Sequence, residues 1–315
     1  HCCRTPTGTK PGAPGRVQPI AAWLVARPQN GVLGLAIAIL FPLASPVISG
    51  LVMAHLVFAT GLQRPALQGI VAGLLLAVFA LLLSASVAQI VASAITWWVP
   101  AFVIAALARY WRSVTLAMQV SVIVALAAIL VFFVVVGDPT DYWNDVVTTS
   151  IELARQAGLH EQADMLTESQ SLIVPQMTML FVSTAWSFYA SVALLGYALF
   201  QALPGKEGIY GRFCDLNFGR VLAAIMAVAS VGALATGTAW LQNVGFVAFT
   251  VFWLQGLAIV HWLHVERRLP YFILVMIYAA FPFLNVLLVI TFAVLGYTDA
   301  WFDFRARGKI KDDRV

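Results

Sequence analysis

The chain has 315 residues, 61% hydrophobic and only 10% charged, with a mean hydropathy of +0.90 and a net charge of +4. A soluble domain carries roughly a quarter charged residues, so the composition excludes an ordinary water-soluble globule and calls for a bilayer as solvent. The basic balance reads as loop charge that sets topology, and nucleic-acid binding is not expected because no basic face with interleaved aromatics occurs.

Residues 1–18 are rich in Pro, Gly, Thr and Lys and read as a disordered or non-native leader that includes Cys2 and Cys3. Cys214 is the remaining cysteine, so no disulfide framework is expected. Residues 17–27 are too short to span; they read as an interfacial helix with Trp23 at the headgroups, broken at Arg27-Pro28. Two short apolar runs follow, 31–43 and 47–61, separated by Ser45-Pro46. Runs 66–84, 88–108 and 114–137 have the ~20-residue length of a membrane span.

Residues 138–174 are polar and hold seven of the 14 acidic residues. Asp145 is the expected N-cap of a helix from Val146 to Ala157, with Val147, Ile151 and Ala154 on one face, and a second helix is expected from His160 to Ser171. The segment reads as an external amphipathic helical hairpin, either a lid over an outward-facing pocket or a solvated connector. A long span, 175–203, leads into a polar loop at 204–218. Runs 219–240 and 243–263 are further spans, and the last apolar block, 270–297, is interrupted at Phe281-Pro282. In the tail, Tyr297, Trp301, Phe302 and Phe304 form an aromatic anchor, and 308–315 is basic.

Lysine and arginine decide the orientation. All 18 of them except Arg155 fall in the alternate segments 1–30, 62–65, 109–113, 204–220, 264–269 and the tail. This asymmetry places those segments and both termini in the cytoplasm. The same parity requires 31–61 to be a hairpin of two short crossings or a re-entrant pair. It also requires 270–297 to turn back near Pro282; the competing reading is one tilted helix with an external tail. The expected fold is all-α: a polytopic bundle of about 8–10 hydrophobic segments in a single transmembrane domain over 19–307.

The polar residues inside the spans are few and uncharged, and no nucleophile elbow, P-loop or metal-ligand spacing occurs. The chain therefore reads as non-enzymatic, without cofactor or metal. His55 could bind a ligand or sense protons, or be a hydrogen-bonded structural side chain. Thr184, Ser187 and Ser191 share one helix face and either line a polar cavity or bond the backbone one turn earlier. Gln255 is either interhelical glue or a pocket residue. These five form a candidate pocket. Run 219–240 is dense in small residues at four-residue spacing, Ala229/Ala233 among them, and reads as the packing helix of the bundle or a docking face. On the cytoplasmic side, Arg212, Asp215, Asn217, Arg220, Asp299, Asp303 and Arg305 form a candidate clamp or docking surface, with Arg268 or Arg212 as possible partners of the two aspartates.

Three stretches carry a resemblance: Gly-Arg-Phe-Cys-Asp-Leu-Asn-Phe-Gly-Arg at 211–220, Leu-Gln-Gly-Leu-Ala-Ile-Val-His at 254–261 and Thr-Asp-Ala-Trp-Phe-Asp-Phe-Arg at 298–305. Together they resemble the YybS-like family of predicted bacterial integral membrane proteins, a domain of unknown function, over roughly residues 17–307. That family is distantly similar to the S-components of energy-coupling-factor transporters and to MreD. The resemblance implies a bacterial inner-membrane protein and two functional expectations. The first is an S-component-like subunit that binds or transports a small molecule with a coupling subunit as partner. The second is an envelope scaffold of the MreD kind that acts through protein partners.

Overall fold

The computed structural model describes residues 17–41 and 44–305. The leader up to residue 16, Pro42-Leu43 and the tail from 306 onward, with its basic stretch 308–315, lie outside the described residues. Thirteen α-helices occur among the described residues, and no strand. They are α1 (Gln18–Ala26), α2 (Pro28–Ile39), α3 (Ser45–Thr60), α4 (Gln63–Leu82), α5 (Val87–Tyr110), α6 (Val114–Val136), α7 (Pro139–Gln156), α8 (His160–Ile173), α9 (Met177–Gln201), α10 (Gly219–Thr236), α11 (Ala239–Thr250), α12 (Phe252–Val265) and α13 (Tyr271–Phe302). Among the described residues seven helical runs are long and apolar enough to cross a membrane: α4, α5, α6, the run ending in α9, α10, the α11–α12 run and α13. Helices α2 and α3 are shorter apolar helices, as their Pro-separated runs predict.

Proline sets several of the starts, because its missing N–H and fixed φ suit a first turn. Pro28 and Pro139 open α2 and α7, and Pro46 sits in the first turn of α3. This corrects the expected boundary of the hairpin. Helix α7 begins seven residues before Val146, and its N-cap is Asp138, whose side chain accepts from the Thr140 amide at 2.9 Å. That hydrogen bond favours the ionised carboxyl and holds it below the usual carboxylate range. Asp145 is an interior residue of α7. Helices α7 and α8 pack on one another: Val147 and Ile151 are buried with Trp143, Ala163 and Val174, Ala154 packs against them, and the Trp143 indole donates to Thr178 Oγ1 at 2.8 Å.

The chain divides into two compact units. Among the described residues, the first is the segment up to Ala117 with Tyr189–Gly211, and the second is Met118–Phe188 with the segment from Arg212 to Arg305. The first unit is built around α3, where Ser49, Gly50 and Val52 to Phe58 are all buried. Close approach is possible because two glycines lack a Cβ. A methyl on Gly50 would sit 3.1 Å from the Trp97 carbonyl oxygen, and one on Gly196 would sit 2.8 Å from that of Leu51.

The second unit is built around α12, where Phe252 through Val260 and Trp262 are buried. Helix α10, expected to be the packing helix of the bundle or a docking face, has one buried face and one exposed face. Its Ala223, Ala229 and Ala233 face inward, while Val221, Val228, Val231 and Leu234 are exposed. Small residues permit close approach but do not compel it. The closest crossing is α12 on α13, where a Cβ on Gly256 would overlap the Phe292 carbonyl and one on Gly296 that of Phe252.

Helix α13 carries a non-helical residue, Leu284 (φ −120°, ψ 28°), two positions past Pro282. Proline removes one helical hydrogen bond and crowds the preceding turn, which produces such a kink. A straight 32-residue helix would hold its ends ~48 Å apart. Here both ends reach neighbouring residues. The Tyr271 ring packs on His264, Phe213 packs on His261 one turn away, and Arg305 bonds the carbonyl of Cys214, next to Phe213. The run is therefore bent at the kink near Pro282 rather than straight.

Candidate functional site

The densest polar arrangement in the second unit joins the loop before α10 to α12 and to the end of α13. Gln255 is fully buried on α12. Its Oε1 accepts from the backbone N–H of Phe218 at 2.7 Å, and its Nε2 donates to Asp299 Oδ2 at 2.9 Å. Asp299, also fully buried, accepts on Oδ2 from Arg305 at 2.8 Å and on Oδ1 from the Phe304 N–H at 3.0 Å. Arg305 is itself buried and donates a second bond to the Cys214 carbonyl at 2.9 Å.

The local fold explains the convergence. At Asp303 the backbone turns left-handed (φ 49°), which ends α13 and swings Arg305 back over Asp299. On the loop side, Asn217 Oδ1 accepts from the Gly219 N–H at 2.8 Å and the Asn217 carbonyl accepts from Gln119 Nε2 at 2.8 Å. Phe218 packs edge-on against Trp186 and Phe252.

This is a buried ion pair in which both Asp299 oxygens and both terminal nitrogens of Arg305 make hydrogen bonds. Such a pair survives desolvation only when so satisfied, and losing one partner strands a buried charge. The chemistry it provides is positional: it holds residues 213–218 in one conformation. Burial pushes the Cys214 thiol above the usual thiol range, with Asp215 adding to the shift and Arg212 and Arg305 opposing it, which keeps the sulfur protonated and weakly nucleophilic near neutral pH.

The structure distributes the other candidates as follows. Asp299 pairs with Arg305 rather than with Arg268 or Arg212; Arg268 lies over the Trp262 ring. Arg212 forms a 2.9 Å ion pair with Asp215 on the exposed side of the loop, and Arg220 is exposed at the start of α10. Asp303 is half-buried at the end of α13.

Gln255 belongs to the clamp network. Ser187 accepts a 3.1 Å bond from the Trp253 indole, and Thr184 is exposed. These three lie in the second unit. His55 and Ser191 lie in the first, where His55 is fully buried with Nε2 3.1 Å from the Ala21 carbonyl. Among the described residues no group of three His, Cys, Asp or Glu side chains could hold a metal ion.

The first unit secures the preceding part of the same loop. The Tyr197 hydroxyl donates to the Gly211 carbonyl at 2.6 Å and accepts from the Tyr210 N–H at 3.1 Å, within a cluster of Phe58, Phe200 and Tyr210 rings. The sequence reading did not single out Tyr197 or Tyr210. The available signal was the tyrosine of the Gly-Ile-Tyr-Gly turn at 208–211, facing a span that also ends in aromatics.

No curated protein and no solved structure matches the chain. A family model described as "Predicted membrane protein (DUF2232)" matches residues 32–300, from α2 to the last turn of α13, so the Gln255, Asp299 and Phe218 positions of the network lie inside it. The chain belongs to this family of predicted membrane proteins, the YybS-like family that the three stretches resemble.

Proposed function

We propose that the chain is a non-catalytic scaffold of the bacterial inner membrane. Both termini and the 204–220 loop would face the cytoplasm, and a protein partner would dock on the exposed face of that loop. The observation that carries this reading is the clamp. Gln255, Asp299 and Arg305 spend their hydrogen-bonding groups on holding 213–218 in place, leaving Asp215 and Arg220 displayed on its outer side. A fixed loop loses little conformational entropy when a partner binds it, which is how preorganisation raises affinity. The distribution of Lys and Arg supports the orientation.

The S-component-like reading has less support from the geometry. Of its five pocket residues, Ser187 and Gln255 already have partners within the second unit, and His55 has one within the first.

A photo-crosslinking amino acid placed at Arg220 or Asp215 in cells tests the scaffold. It should give one discrete protein adduct, and that adduct should fade when Asp299→Asn is added to a chain that still inserts. Absence of an adduct, together with an endogenous small molecule retained by the purified chain in native mass spectrometry, would replace the scaffold with the binding subunit.

A further inference from the structure

Among the described residues the first unit holds four buried polar atoms without a partner, on His55, Arg64, Gln68 and Trp98, and two of these side chains, Arg64 and Gln68, line one lateral groove. The groove, of about 710 Å³, runs between α2 and α4 and is lined by Pro28, Val32 and Leu33 on one wall and by Arg64, Gln68 and Leu75 on the other. The two helices start at the same end. Gln68 Nε2 donates to the Pro28 carbonyl at 2.9 Å, and Arg64 donates to the Val25 carbonyl at 3.1 Å. Gly31 is required here, because a Cβ would run into the Gln68 amide.

Gln68 is only 3% exposed, and its Oε1 has no partner among the described residues. Its amide cannot simply rotate, since the Pro28 carbonyl demands a donor at Nε2. The Nε of Arg64 is likewise buried and without a partner among the described residues. Both side chains line the groove, so a small shift of either uncovers its unpaired group at that end, which then asks for an acceptor at Arg64 and a donor at Gln68. Away from that end the groove is apolar, with Leu33, Leu67, Val71 and Leu75 all partly open to the outside. Trp23 on α1, the helix whose Val25 carbonyl takes Arg64, is 46% exposed, as suits a side chain at the membrane interface.

We infer that the α2–α4 groove holds one bilayer glycerophospholipid whose headgroup carries both a phosphate and a hydrogen-bond donor. The phosphate accepts from Arg64 Nε, an ammonium or hydroxyl of the headgroup donates to Gln68 Oε1, and an acyl chain lies against Leu33, Leu67, Val71 and Leu75. Phosphatidylethanolamine and phosphatidylglycerol satisfy both demands; phosphatidylcholine has the phosphate but no donor. This site is independent of the scaffold reading and lies in the other unit.

The test is native mass spectrometry of the full chain released from nanodiscs of equimolar phosphatidylethanolamine, phosphatidylglycerol and phosphatidylcholine with identical acyl chains. One lipid per chain should be retained, with either donor-bearing lipid favoured over phosphatidylcholine by roughly five-fold, the size of one hydrogen bond. Gln68→Leu should remove that preference while keeping retention, and Arg64→Gln should lower retention of all three lipids. Because the headgroup comparison uses the unaltered chain, it stands even if a variant fails to fold. Equal retention of phosphatidylcholine, or no retained lipid, overturns the inference. So does a Gln68→Leu chain that folds and keeps the wild-type preference.

Discussion

At the scale of single residues, Asp299 and Arg305 hold the 213–218 loop. Each is buried, and each is balanced by the other and by hydrogen bonds to Gln255, Phe304 and Cys214. Removing one partner leaves an uncompensated charge, so Asp299→Ala and Arg305→Ala should each destabilise the second unit by about 3–5 kcal/mol. Removing both charges while keeping volume, as in Asp299→Leu with Arg305→Met, should cost much less than the sum of the single changes. Unfolding in detergent, analysed as a double-mutant cycle, reads this directly; additive single effects would mean the two side chains are not coupled.

These residues were legible in part. The interfacial position of Asp299 and the loop position of Asn217 follow from the sequence. The partner of Asp299 does not, because the reversal at Asp303 that brings Arg305 back is a left-handed turn at a non-glycine residue, which the sequence does not announce.

At the scale of elements, the spans read well and their burial reads poorly, for one physical reason. In water an apolar face must be buried; in a bilayer the lipid tails are as apolar as leucine, so hydrophobicity no longer separates inside from outside. That is why α10, dense in alanine, looked like the core helix, whereas α12, with its Phe and Trp side chains, is the buried one. The signal that does discriminate is glycine at a crossing. Gly256→Ala should destabilise the chain by about 1–3 kcal/mol, because the added methyl meets backbone that cannot give way. Gly73→Ala, where a Cβ would meet open space, should be neutral or stabilising. Equal thermal shifts in the two variants would show that the α12–α13 contact is looser than described. The helix starts teach the same lesson on a smaller scale: Asp138 outranks Asp145 as N-cap because Pro139 follows it.

At the scale of the whole molecule, membership of a predicted membrane-protein family, seven runs able to span and the one-sided distribution of Lys and Arg fit a multi-pass protein. The proposed orientation makes a simple prediction. A cysteine at Glu161, exposed on α8, should react with a membrane-impermeant maleimide added to intact cells, and one at Lys206 only after permeabilisation. The reverse pattern would invert the topology and remove the cytoplasmic loop from reach of a cytoplasmic partner.

Buried side chains hold residues 213–218 in one conformation. Hydrogen–deuterium exchange of that loop, with and without Asp299→Asn, measures it most directly. The amide of Phe218 and its neighbours should exchange as slowly as those of α12 in the unaltered chain and at least ~10-fold faster in the variant, the equivalent of about 1.4 kcal/mol, while α12 itself stays protected. A loop that already exchanges freely in the unaltered chain, or one that Asp299→Asn leaves unchanged, would contradict the claim.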